Sequence, residues 1–225
     1  MATPASDPDA IRPRSPKGVE TRARLVDAAK KVFEDDGFLD ARISDIAERA
    51  SLSHGAFYHY FESKDEVFRE VAEIMDDRLS APLDSVVLDP SSGAPPEQRI
   101  REALTHHLES YRAEARIMGV IEQVSRYDVQ VNAMRFERHQ QHTKRIADSI
   151  RQMQRHGLVD KNLKPQIAAA ILGGMTQRFA EMWLVQGYVQ CSMKDAVEQL
   201  TCIFVGAFGI GNTMGRPARP ERARR

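Results

Sequence analysis

The side chains that could carry chemistry are all present, but not in arrangements that make an enzyme. Serine, histidine and acidic residues occur along the whole chain, with no Gly-x-Ser-x-Gly elbow, no glycine-rich phosphate loop and no His-Glu-x-x-His pair. Each of those motifs places a nucleophile, a phosphate cradle or two metal ligands at a fixed spacing, and nothing here substitutes for them. His139 and His142 lie three apart on one predicted helix face. A metal would need further ligands from elsewhere, and the run from Arg135 to Arg145 is almost wholly polar, so a wetted face accounts for the pair. The neighbours His106 and His107 point to different sides of a helix and chelate poorly together. We therefore expect no enzyme activity, no cofactor and no metal.

Directed spacing appears instead between Ile43 and Phe68. A short amphipathic pattern with Ile43, Ile46, Ala47 and Ala50 is followed by the break Ser51-Leu52-Ser53 and a second short helix from His54 to Tyr60. Two short helices around a tight turn fit a helix-turn-helix. The first would brace through Ile46 and Ala47, and the second, capped by Ser53, would enter a DNA major groove with His54, Gly55 and Ala56 in its first turn. Gly55 and Ala56 are small enough for the backbone to come close. Phe57 and Phe61, four apart, suit a core packed on Phe33 and Phe68, which leaves Tyr58 as the better donor to a phosphate. Ser63-Lys64-Asp65-Glu66 has the form of a capping box opening the next helix.

Charge alone gives no case for nucleic acid. The formal net charge is zero, and the first 66 residues carry 10 basic against 13 acidic side chains. Affinity in this segment must come from placed donors rather than from a basic field. Arg12, Arg14 and Lys17 could add contacts to phosphate or minor groove, or serve only solubility. The last block, from Asn212, has five basic residues against one acidic.

Every other segment repeats with helical spacing, and no stretch alternates with period two long enough for a sheet, so the fold class is all-α, with about nine helices. Leu25, Ala29, Val32 and Phe33 mark a helix over about 17–36, closed by Gly37. Val67, Phe68, Val71 and Met75 mark the helix after the capping box. The four prolines between Ala81 and Pro96 predict the main loop. Beyond it come a helix with Ile100, Leu104, Leu108 and Tyr111, a long one from Val131 to Gly157, one opened by Pro165, and one opened by Ser192. We divide the chain into a flexible tail (1–16), a helix-turn-helix domain (17–66), a larger helical domain (67–211) and a basic tail (212–225). With 42% apolar residues, a mean hydropathy of −0.46 and two cysteines in no disulfide or CxxC framework, a cytoplasmic protein is expected. No run reaches the length of a membrane span and no secretory signal opens the chain.

The run Ile46-Ala47-Glu48-Arg49-Ala50-Ser51-Leu52-Ser53-His54-Gly55-Ala56-Phe57-Tyr58-His59-Tyr60-Phe61-Glu62-Ser63-Lys64-Asp65-Glu66 closely resembles the signature of the tetracycline-repressor (TetR/AcrR) family of bacterial transcriptional regulators. At motif level the resemblance covers about 19–68. It implies that Ser53, Tyr58, His59 and Lys64 hold phosphates while His54, Gly55, Ala56 and Tyr60 lie at or near base edges. Two positions depart from the pattern. Ser51 stands where the turn carries Gly, at a cost of about 1 kcal/mol for a left-handed residue with a Cβ. Arg42 stands where the brace helix has a Thr or Ser cap; it offers a cation beside the DNA backbone, and Asp40 or Ser44 is left to cap, so Arg42 and Ser44 join the candidate interface.

The resemblance further implies a homodimer and a small-molecule effector. The last two predicted helices suit a four-helix dimer interface, with Ile171, Met175, Arg178, Met182, Trp183, Phe204 and Phe208 as its candidate residues; burial of the same face inside one protomer is the alternative. For the effector pocket the candidates are His107, Tyr111, Met118, Ile121, Tyr127, Met134, Phe136, Met175 and Phe179, a stripe that fits plain core equally well. Arg112, Arg116, Arg126 and Arg135 nearby suggest a ligand with an acidic head, such as a fatty acyl thioester. The expected function is a ligand-responsive repressor binding a palindromic double-stranded DNA operator. The alternative is a helical lipid-binding or adaptor protein that does not bind DNA.

Overall fold

The computed structural model describes residues 15–86 and 93–210. Among these the chain is helical throughout: α1 (Pro16–Asp40), α2 (Ile43–Arg49), α3 (His54–Phe57), α4 (Lys64–Val86), α5 (Pro96–Ala113), α6 (Ala115–Ser125), α7 (Val129–Arg155), α8 (Pro165–Ala180) and α9 (Met193–Phe208). The all-α expectation holds. None of these helices is long and apolar enough to cross a membrane.

Local chemistry sets most of the ends. Ser15 accepts from the Gly18 amide and Pro16 occupies the first turn of α1. The helix path breaks at Gly37, whose φ of 74° suits a residue without Cβ. Ser51 is in the left-handed region at φ 56°, as the turn requires despite its side chain. Asp128 caps α7 through the Gln130 and Val131 amides at 2.8 and 2.9 Å, and Ser192 caps α9 through the Asp195 amide at 3.1 Å.

Four expectations are corrected. Arg42 is the N-cap of α2 with no side-chain cap bond, and neither Asp40 nor Ser44 replaces it, since the Ser44 hydroxyl turns to Asp45 at 3.0 Å. The helical part of α3 ends at Phe57 rather than Tyr60; the Tyr60 amide reaches the Phe57 carbonyl in a tighter turn. In the Ser63–Glu66 box, Ser63 accepts from the Glu66 amide at 3.1 Å as expected, but Glu66 reaches back to the Glu62 amide, one residue earlier than the standard pairing. The predicted loop starts late, because α4 continues through Ala81 and Pro82 to Val86.

The described chain forms two compact units. One contains residues up to Arg78 together with Glu114–Glu137; the other contains Leu79–Ala113 and the residues from Arg138 on. This differs from a cut after residue 66, and the reason is α6, which returns to pack on α1. Glu114, at its N-cap and 7% exposed, bonds Lys30 of α1 at 2.7 Å and Arg78 of α4. Burial opposes its charge, but these two cations outweigh burial and hold the carboxyl below its ordinary range. Arg116 adds bonds to the Glu34 carbonyl at 2.8 Å and the Asp35 carboxylate at 3.2 Å.

In the second unit α5 packs on α9. Phe208 is 1% exposed, and its carbonyl accepts from the Asp160 amide at 3.0 Å. Between α8 and α9 one turn, Glu181–Val185, is a π-helix.

Candidate nucleic-acid interface

The putting-together of α2 and α3 starts from burial. Ile46, Ala47 and Phe57 are buried on the inner side, and Phe61 follows at 0% exposure. The Phe57 and Phe61 rings are 5.6 Å apart, and the Arg22 guanidinium lies 4.5 Å over Phe61. A second aromatic cluster joins Phe33, Phe38 and Phe68, with Phe33 edge-on to Phe68 at 5.0 Å. These rings fix the direction of α3 from beneath.

The other side of α3 faces outward. His54, Gly55, Tyr58 and His59 are exposed, while Ala56 and Tyr60 are half-buried. Ser53, also exposed, caps the helix by accepting from the Ala56 amide at 3.2 Å. The His54 and Tyr58 rings meet edge to face at 5.3 Å, so two candidate contact residues support each other. Arg42 and Ser44 are exposed at the start of α2. All ten proposed contact residues thus lie on or partly on the surface. Arg12 and Arg14 fall outside the described residues.

Lys64, though half-buried like Ala56 and Tyr60, already has partners. Its ammonium reaches the carbonyls of Phe38, Leu39 and Ala41 at 2.7, 3.1 and 2.8 Å, and it sits 4.8 Å from the Phe38 ring centroid. An ammonium has three N–H donors, and all three are committed. The role shifts from phosphate contact to positioning: Lys64 ties the start of α4 to the carbonyls that α1 leaves open beyond Gly37. Sequence offered no signal for this, since the partners lie 23 to 26 residues away. Arg24 does a similar task unforeseen, capping the end of α2 through the Ala50 carbonyl. We expect Lys64→Met to cost about 2 kcal/mol of stability by stranding these carbonyls. Urea unfolding measures that cost. The salt dependence of DNA affinity should keep its slope, whereas loss of a phosphate contact would lower the slope by about 0.9.

The proposed effector residues are divided between the two units. His107, Tyr111, Met175 and Phe179 belong to the second unit, and Met118, Ile121, Tyr127, Met134 and Phe136 to the first. Met118 and Ile121 are fully buried core, while Tyr127 and Phe136 are 54% and 61% exposed, too open for the wall of an enclosed site. The arginines proposed for an acidic ligand head are partly spent: Arg116 on Glu34 and Asp35, and Arg135 on Glu122 at 2.6 Å. Of the interface candidates, Ile171 is 62% exposed, and Met175, Met182, Trp183 and Phe204 are half-buried. Arg178 is exposed and pairs with Glu181 at 2.7 Å. Phe208 is core at 1% exposure and offers no surface for an interface, while Ile167 of α8 and Ile203 of α9, 55% and 47% exposed, are apolar residues outside the candidate set.

Comparison with known proteins agrees with this geometry. Residues 25–71, from the core of α1 through α3 into α4, match the family model of bacterial regulatory proteins, tetR family. The chain belongs to the TetR family. Over 73 residues this TetR-family chain is 38% identical to the uncharacterized HTH-type transcriptional regulator YdgC of Bacillus subtilis, covering 32% of this chain and 37% of that protein. Over 210 residues it is 25% identical to the HTH-type transcriptional regulator AcrR of Shigella flexneri, covering 90% and 95%. Among solved structures, SmeT, the repressor of the Stenotrophomonas maltophilia multidrug efflux pump SmeDEF, superposes with a TM-score of 0.69 at 20% identity, over 89% of this chain and 96% of that one. The fatty acid degradation regulator FadR of Bacillus halodurans gives 0.67 at 16%, over 82% and 97%. The family model matches within the helix-turn-helix region, and the solved structures agree with most of the chain in fold.

Proposed function

We propose that this TetR-family chain is a cytoplasmic transcriptional repressor that binds a palindromic double-stranded operator as a homodimer and is released by a small apolar or amphipathic effector. The observation that carries DNA binding is the two-faced α3: Phe57 locked in the core, and His54, Gly55 and Tyr58 presented outward beside the exposed cap Ser53. A surface probe anchored by rings from beneath is the form a groove-reading helix needs. Tyr58 and His59 donate to phosphates, and His54 reads base edges. The apolar surface of Ile167, Ile171 and Ile203 supports pairing of α8 and α9 with those of a second copy, which would match the two-fold symmetry of a palindrome.

SmeT, by its description, represses a multidrug efflux pump, and FadR regulates fatty acid degradation. Both associations favour an apolar effector here. Release requires only that the effector bind one dimer state more tightly; about 3 kcal/mol of coupling would change operator affinity roughly 150-fold.

The test is a mobility shift on duplex DNA from upstream of the protein's own gene. His54→Ala should cost about 1–3 kcal/mol of specific affinity and relax sequence preference. Tyr58→Phe should weaken binding to every duplex by roughly fivefold. Retained affinity in both variants, or a lipid ligand bound tightly with no DNA shift, rejects the reading in favour of a helical carrier or adaptor.

A further inference from the structure

The second unit holds a buried polar group that the fold leaves half-used. His107 on α5 is 4% exposed, and its Nδ1 lies 3.1 Å from the Leu79 carbonyl oxygen. A carbonyl only accepts, so the proton resides on Nδ1 and Nε2 is left as an unprotonated acceptor. That atom is buried and meets no hydrogen-bond donor among the described residues. One turn further along α5, Tyr111 is fully buried with its ring centroid 6.3 Å from that of His107.

Charging the ring is disfavoured. Burial pushes the imidazole down to about 4, the Leu79 carbonyl opposes that shift, and the nearby His142 of α7 adds to it. Two turns beyond His142, and hence on the same face of α7, Ser149 is 3% exposed with a hydroxyl that also lacks a partner among the described residues. Buried polar atoms are satisfied in the great majority of cases, and an acceptor held in one tautomer calls for a donor.

We infer that His107 Nε2 is the polar anchor of a ligand site within this unit, one that takes a neutral amphipathic molecule donating a hydroxyl or amide N–H and rejects carboxylates and phosphates. The inference rests on the effector-responsive reading above and names that effector's chemistry. An anion presents only lone pairs, and it would meet the lone pair of Nε2. The notion of an acidic ligand head is thereby replaced.

The experiment uses the full chain labelled with 15N-histidine and two probes, 1-octanol and octanoate, at pH near 7. With 1-octanol we expect the unprotonated-nitrogen signal of His107 to move and saturate; octanoate should leave it in place. His107→Gln keeps an acceptor and should retain 1-octanol affinity, while His107→Leu should lose roughly tenfold. The wild-type titration stands alone should His107→Leu misfold. An unmoved His107 signal, equal binding by His107→Leu, or an equal response to octanoate overturns the anchor. Operator mobility shifts in the same samples separate the two readings. DNA release by 1-octanol without a His107 signal change removes the anchor and leaves effector control standing. A saturable His107 shift with unaltered DNA binding leaves the site standing and removes effector control.

Discussion

Phe61→Ala should destabilise the helix-turn-helix unit by about 3–5 kcal/mol, the range for removing a fully buried aromatic side chain. Phe61 is 0% exposed, lies 5.6 Å from the Phe57 ring and is covered by the Arg22 guanidinium at 4.5 Å. Truncation leaves a cavity under α3 and uncovers Arg22, which is otherwise paired with Glu70. Burial raises the Glu70 carboxyl despite that pairing, so loss of packing around Arg22 adds to the cost. Urea unfolding reports the loss directly. DNA affinity should fall with it at any salt concentration, because a tilted α3 misplaces every outward side chain at once. A cost under about 1 kcal/mol would mean that the rings do not hold the probe.

Acidification should weaken the fold through His107. An unfolded histidine gains its proton near its ordinary value of 6.5, while the buried ring holds out to about 4. The folded value is the lower one, so the stability is fully present above 6.5 and is lost as pH falls toward 4. The full span corresponds to on the order of 3 kcal/mol, of which about 2 kcal/mol is gone by roughly pH 5. Glu34 and Glu114, held below the ordinary carboxylate range by their lysine and arginine partners against the effect of burial, lose their contribution only at lower pH. The Glu70 carboxyl, raised by burial, acts with the opposite sign on the acid side, so the difference between wild type and a His107 variant, rather than either urea midpoint alone, isolates His107. The His107→Gln variant should show a flatter dependence in that interval; an equal slope in both proteins would place the titration elsewhere.

What sequence discloses here depends on how local the cause is. Gly37, Ser51, Ser53 and Ser192 act on amides or dihedrals within a few residues, so turns and caps are legible. Ile46, Phe57 and Phe61 follow from helical spacing, because spacing says which face is apolar. It does not say what covers that face. Phe208 and Phe204 are one turn apart on the same apolar stripe, yet the first is buried and the second half-open. The family resemblance put Lys64 on a phosphate, and its bonds to the Phe38, Leu39 and Ala41 carbonyls could not be read beforehand, because carbonyls carry no residue identity. Pro82 looked like a helix end, but a helix already under way can carry a proline through at the loss of one backbone bond.

The return of α6 onto α1 sets a limit on dissection. The clasp on Lys30, Arg78 and the Glu34 carbonyl is supplied by Glu114 and Arg116, more than fifty positions beyond the end of α3. A fragment cut after Arg78 would carry every side chain proposed to touch DNA but would leave α1 bare along one flank. Grafting that fragment onto another protein would thus transfer the lettering of the reader without its binding, and a transplant that includes 114–137 is the smallest one to try.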